Sequence, residues 1–205
     1  TLQPTPFATI AVLNTVEQGL LGLALSPSFA TDGFVYVMAV VDGPRRQQII
    51  RFTDQGGVGI DQTVIVDNLP AAEGGNAGDI QFLLDGTLVV SVGDSGQPAL
   101  AQDPLSLAGK ILRYTAQGGI PSDNPSAGSP VYALGFRNSF GLAVHPLTGG
   151  LFASENGPDN DDELNYILPG RNYEWPSAPG VPGNQLGYRM RHWQTVIAPT
   201  GLHIH

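Results

Sequence analysis

Four segments of this chain begin alike, and their spacing constrains the fold more than any other feature. Leu23-Ala24-Leu25, Ile80-Gln81-Phe82, Leu142-Ala143-Val144 and Leu202-His203-Ile204 start 57, 62 and 60 residues apart. A glycine stands just ahead of each: Gly22, Gly78, Gly141 and Gly201. The first three segments run into turns at Asp32-Gly33, Asp85-Gly86 and Thr148-Gly149. Asp-Gly between apolar runs is a strong hairpin signal. Second strands are predicted at Phe34–Ala39, Thr87–Val92 and Gly150–Ser154. Third strands follow at Ile49–Phe52, Lys110–Tyr114 and Glu163–Ile167, with fourth strands at Thr63–Val66 and Val131–Leu134.

A period near 60 with about four short strands per unit describes a β-propeller blade. No window sustains the 3.6-residue period of a helical solenoid. Only Leu100–Leu107 reads as a helical turn or two. The expectation is an all-β chain forming one partial propeller domain over residues 1–205, with blade starts near 23, 80, 142 and 202. Phe7–Leu13 reads as the end of one blade and Leu202–Ile204 as the first strand of another. Three blades are half of a six-bladed ring, and about four is the usual minimum for closure. An open blade edge needs a partner. Either further blades complete the ring, or a second copy does so as a homo-oligomer.

Composition excludes several functions. The 18 acidic and 9 basic residues leave a formal charge of −9, and Arg45-Arg46 is the largest basic run. Nucleic acids and anionic membranes need a positive surface, so neither is expected as a partner. The absence of cysteine removes disulfide and thiolate chemistry. Glycine and proline number 27 and 17 of 205 residues, which suits many turns, while 41% hydrophobic residues suffice for a core.

Seven stretches carry a resemblance. They are Glu17 to Leu25, Gly78 to Phe82 with Ser91-Val92-Gly93-Asp94, and Gly109-Lys110-Ile111-Leu112-Arg113. Next come Ile120 to Pro125, then Tyr132-Ala133-Leu134-Gly135-Phe136-Arg137-Asn138. The last two are Glu155-Asn156-Gly157-Pro158 with Asp162-Glu163-Leu164-Asn165, and Gly170-Arg171-Asn172-Tyr173-Glu174-Trp175-Pro176. In this order they resemble the soluble quinoprotein glucose dehydrogenase, aldose sugar dehydrogenase and glucose/sorbosone dehydrogenase family. The resemblance implies a six-bladed propeller holding pyrroloquinoline quinone (PQQ) and calcium in its central mouth. It implies oxidation of an aldose sugar at C1, with hydride passing to the quinone, in a periplasmic or extracellular setting.

By the same resemblance, Glu17, Asn76, Arg137 and Asn138 are cofactor-binding positions. Arginine suits this role because its planar fork pairs with carboxylates and carbonyls. Gly157 and Pro158 match a turn whose carbonyls face calcium, with Asp162 and Glu163 as further metal positions. Oxygen donors suit this hard cation. Asp94 reads as turn chemistry, and Trp175 as packing.

The chain departs from the family at the catalytic base. The family's histidine falls at Gly75, which has no proton acceptor. His145, His192, His203 and His205 all lie elsewhere in the sequence. Glu73 and Asp79 are the acidic residues nearest that position. The further cations that hold the quinone in the family belong to later blades, and Arg171, Arg189 and Arg191 do not match them. The competing readings are a non-catalytic propeller module and a self-associating propeller fragment.

Overall fold

A computed structural model describes residues 3–176 and 189–204. Twelve strands form three four-stranded antiparallel sheets, each ordered as in sequence. The first sheet holds β1 (Leu20–Leu25), β2 (Phe34–Val41), β3 (Arg46–Asp54) and β4 (Gly59–Leu69). The second holds β5 (Ala77–Phe82), β6 (Leu88–Val92), β7 (Lys110–Tyr114) and β8 (Val131–Leu134). The third holds β9 (Gly141–Val144), β10 (Leu151–Glu155), β11 (Asp162–Ile167) and β12 (Arg189–Trp193). These are three propeller blades. Among the described residues helix is confined to one turn, α1 (Phe29–Asp32), and a 3₁₀ turn at Pro98–Gln102. The 3₁₀ turn lies slightly ahead of the predicted Leu100–Leu107.

The glycines ahead of the first three repeats have a packing cause, whereas a Cβ on Gly201 would meet nothing within 4 Å. A Cβ on Gly22 would lie 2.5 Å from the Gly78 carbonyl oxygen, and one on Gly78 would lie 2.5 Å from the Leu21 side chain. A Cβ on Gly141 would meet the Leu202 nitrogen at 3.0 Å. β1 and β5, and β9 and the chain at Gly201-Leu202, therefore approach too closely for a side chain at Gly22, Gly78 or Gly141.

The middle blade is buried on both faces, and its inner strand β6, Leu88-Val89-Val90-Ser91-Val92, is a nearly continuous apolar run rather than an alternating one. The pleat sends successive side chains to opposite faces. Leu88, Val90, Val92, Leu112 and Tyr114 pack toward the first blade against Tyr36, Met38, Ile49 and Leu69. Val89 and Ile111 pack toward the third, against Leu142, Leu151, Ala153 and Ile167.

Two predicted strands at the ends differ. Phe7–Leu13 forms no strand. It lies over the first blade, where Phe7, Ala8 and Ile10 cover Val37, Ile50 and Phe52. It is tied there by Gly59 N–H donating to the Phe7 carbonyl at 2.8 Å and Leu13 N–H donating to the Val40 carbonyl at 3.0 Å. Leu202–Ile204 runs beside β9 without forming a strand.

Lys110 is wholly buried. Its ammonium donates to the carbonyls of Leu100 (2.8 Å), Ala101 (3.0 Å) and Ala108 (2.6 Å). Burial draws its pKa down to about 8, so the amine is still charged at neutral pH. The three carbonyls take one proton each and fix the loop that leads from β6 into β7. Lys110→Met would remove the donor to the Ala108 carbonyl, while the Leu100 and Ala101 carbonyls keep the N–H groups of Asp103 (3.2 Å) and Gly135 (3.1 Å), a loss of about 1–3 kcal/mol. The midpoint of denaturant unfolding checks this, and an unchanged midpoint would show that the cage contributes nothing.

Candidate functional site

In each blade the first strand starts, and the second strand ends, at the same end of the sheet, because the two run antiparallel. Loops ahead of first strands and loops after second strands therefore gather at one mouth. Glu17 precedes β1, Gly75 precedes β5, and Arg137 and Asn138 precede β9; Asp94 follows β6 and Pro158 follows β10. All of them line one open cleft of about 550 Å³, together with Glu73 and Trp175. That volume lies within the ~300–1,000 Å³ typical of small-molecule sites.

Hydrogen bonds from three blades build the cleft floor. Glu17 Oε2 accepts from the Gly75 N–H (2.7 Å) and from Asn138 Nδ2 (3.1 Å). Asn138 Oδ1 accepts from the Ala77 N–H at 2.8 Å. Asn76 lies beneath, fully buried. Its Nδ2 donates to the carbonyls of Glu17 (2.6 Å) and Ala72 (3.0 Å), and its Oδ1 accepts from the Ala72 N–H (2.8 Å). Both polar atoms of the Asn76 side chain are thus used inside the protein. The structure places it as support for Glu17, not in the cleft lining expected of a cofactor contact.

Arg137 forms the cationic wall. Its Nη1 donates to the carbonyls of Asn156 (3.0 Å) and Gly157 (2.7 Å), and its guanidinium sits 5.7 Å from the Trp175 ring centroid. Trp175 Nε1 donates to Asp94 Oδ2 at 2.9 Å, while Asp94 Oδ1 accepts from the Gly96 N–H at 2.9 Å. Asp94 therefore does make the turn contact read from sequence, and it also anchors the aromatic wall.

Gly75 is built into the floor. Its φ is +71°, and a Cβ there would lie 2.9 Å from Asp94 Oδ1 and 3.2 Å from the Gly96 nitrogen. A side chain at this position is opposed by both the backbone and its surroundings. Among the described residues no histidine lines the cleft. His145 Nδ1 accepts from two turn N–H groups at 3.2 Å each, and His192 Nε2 lies 2.7 Å from Asp161 Oδ1. His203 lies against β9, and His205 lies outside the described residues. Asp79 is also outside the cleft lining. Its Oδ2 accepts from the Leu142 N–H at 2.6 Å and its Oδ1 from the Ile80 N–H at 2.8 Å, joining β5 to β9.

The predicted metal positions divide. Pro158 lines the cleft, and Gly157 lines a neighbouring cavity of about 20 Å³ with Glu155, Asp161 and Glu163. Asp162 is buried and accepts three backbone N–H groups, from Gly157 (2.9 Å), Ile197 (2.7 Å) and Ala198 (2.8 Å). Glu163 pairs with Arg189 at 2.8 Å and accepts from Asn165 at 3.1 Å. Among the described residues no three acidic or histidine side chains are grouped to hold a metal ion. The expected carboxylate ligands are instead consumed in tying β11 to its surroundings. Of Arg171, Arg189 and Arg191, none lines the cleft.

Glu155 supports the cationic wall by accepting the Arg137 N–H at 2.5 Å. The repeat could have exposed it: Glu155 ends the second strand of its blade as Val92, just ahead of Asp94, does in the blade before. Burial and the nearby Glu163 push its carboxyl well above the usual carboxylate range.

The sequence profile described as glucose/sorbosone dehydrogenase matches residues 3–204. The chain belongs to the glucose/sorbosone dehydrogenase family. It is 32% identical to quinoprotein glucose dehydrogenase B of Acinetobacter calcoaceticus, over 92% of this chain and 46% of that protein. It is 33% identical to aldose sugar dehydrogenase YliI of Escherichia coli K12, over 85% of this chain and 50% of that protein. The PQQ-bound aldose sugar dehydrogenase of Streptomyces coelicolor superposes with a TM-score of 0.88 at 39% identity, over 95% of this chain and 59% of that one. The chain thus spans about half to three-fifths of the length of these family members.

The raised carboxyl of Glu155 gives a signed pH effect. A folded-state pKa above the unfolded value favours the protonated form in the fold. Stability is then full below the ordinary carboxylate pKa and falls as pH rises toward the folded value. Glu155→Gln keeps an oxygen for the Arg137 N–H and removes the charge beside Glu163. Thermal melts across pH should show the parent losing stability with rising pH and the variant losing less; parallel curves would refute the assignment.

Proposed function

We propose that this chain supplies the quinone-binding half of a PQQ-dependent aldose dehydrogenase, whose ring is completed by further blades or a second copy. The supporting observation is Arg137, a guanidinium fixed by two carbonyls against Trp175 on a ligand-sized cleft. The closeness of the fold to a PQQ-bound aldose sugar dehydrogenase adds weight. An arginine fork with an aromatic plane beside it fits a flat, polycarboxylated quinone. When bound, the quinone accepts hydride from the sugar's C1.

The chain's own residues then have separable tasks. Arg137 pairs with a carboxylate or carbonyl of the quinone. Asn138 presents its amide from the floor, oriented by Glu17 and the Ala77 N–H. Trp175 closes one side, held by Asp94. Calcium is supported here only through the Gly157 and Pro158 carbonyls, one of which is shared with Arg137. Held there, calcium would supply a Lewis acid beside the bound quinone. An aldose is the substrate class, and a location outside the cytoplasm goes with this reading. No helix among the described residues is long and apolar enough to cross a membrane.

Titration of the full-length protein with PQQ, with and without calcium, followed by glucose and an artificial electron acceptor, tests the proposal. Saturable binding and sugar-dependent reduction are expected. Arg137→Ala should weaken quinone binding about 30-fold or more, equivalent to ~2 kcal/mol. Absence of binding by the parent protein would refute the reading. Binding without reduction would leave a quinone-binding propeller that is not a dehydrogenase.

A further inference from the structure

Oxidation of a sugar at C1 requires an acceptor for the hydroxyl proton, and at Gly75 the chain offers none. Two carboxylates flank that glycine. Asp94 Oδ1 sits where a side chain of residue 75 would begin, at 2.9 Å from the Cβ position. Glu17 Oε2 accepts the Gly75 N–H at 2.7 Å. Both residues line the cleft.

Their hydrogen bonding separates them. Asp94 is 4% exposed and each of its oxygens already accepts a hydrogen bond, from Gly96 N–H and from Trp175 Nε1. Its carboxylate is committed to holding the wall. Glu17 is half-buried, and both donors it meets, Gly75 N–H and Asn138 Nδ2, converge on Oε2. Oε1 is left for a ligand. A carboxylate also repels the quinone's own carboxylates, so the sugar hydroxyl suits Glu17 better than the cofactor does.

We propose that Glu17 is the general base of this cleft, its Oε1 taking the proton that the family's histidine takes elsewhere. The inference rests on the quinone-dehydrogenase reading above. The step balances as follows. The O–H bond of the sugar's C1 hydroxyl breaks and its proton passes to Glu17. The C1–H bond breaks and its hydrogen leaves with the electron pair to the quinone. A C1=O bond forms, giving the lactone, so the sugar is oxidised and the quinone reduced by two electrons. The Gly75 N–H and the Asn138 amide hold the carboxylate in place during the transfer. Gly75 is then a requirement of this arrangement, because a side chain there would crowd the floor on which Glu17 rests.

Single-turnover reduction of the bound quinone by glucose, in the full-length protein, tests the base. Glu17→Gln keeps an oxygen for the Gly75 N–H but gives no proton acceptor. It should bind PQQ at least as tightly as the parent, since a carboxylate that repels the quinone is neutralised, and slow reduction by 10²-fold or more, in the range of general-base removal (~10²–10⁴). Asp94→Asn is the comparison. Reduction that stops in Asp94→Asn and continues in Glu17→Gln would move the role to Asp94 and overturn the proposal. So would a Glu17→Gln protein that is reduced at the parental rate. A parent protein that binds the quinone but is never reduced by sugar overturns the base, whereas a parent that does not bind the quinone overturns the reading beneath it.

Discussion

The close approach of the first strands is the contact on which the rest of this structure depends. Gly22, Gly78 and Gly141 allow the backbones of β1, β5 and β9 and the chain beyond to meet without intervening side chains. That approach sets the spacing of the three sheets at their inner edge. It also brings the ends of the first strands close enough for the side chain of Asn138 to reach Glu17, 121 residues away in sequence. A wider fan would hold the same strands and no cleft.

Much of this was legible in the sequence for a physical reason. Strand and turn chemistry repeats with the blade, so the periodic Asp-Gly turns and the apolar runs reported the sheets almost residue by residue. β7 and β8 match their predicted bounds. The ends were harder to read. Phe7–Leu13 is apolar and extended, but it covers a sheet face and does not join a sheet. Leu202–Ile204 has the composition of a strand but runs beside β9 without forming one. The strand β12 escaped because Arg189–Trp193 is largely polar and basic, with no apolar run to mark it.

The site was legible only in part. Arg137, Asn138, Glu17 and Pro158 come together at the mouth. Asn76 and Asp162 resemble ligands in sequence but have their donors and acceptors filled by neighbouring backbone. No sequence pattern reveals whether a polar side chain faces a cleft or satisfies a loop, because both uses favour the same residue types beside turns. Trp175 and Asp94 show the converse. Each looks like local packing, and their importance comes from a hydrogen bond spanning 81 positions.

Because the floor of the cleft takes Glu17 from the first blade, Gly75 and Asn76 from the second and Asn138 from the third, no blade carries a site by itself. The mouth can assemble only after all three sheets have docked, so binding competence is a late event in folding, set by contacts of large sequence separation. The same wiring makes any occupant of the mouth a clamp across the fan: a ligand that prefers the assembled floor opposes the splaying of every blade that contributes to it.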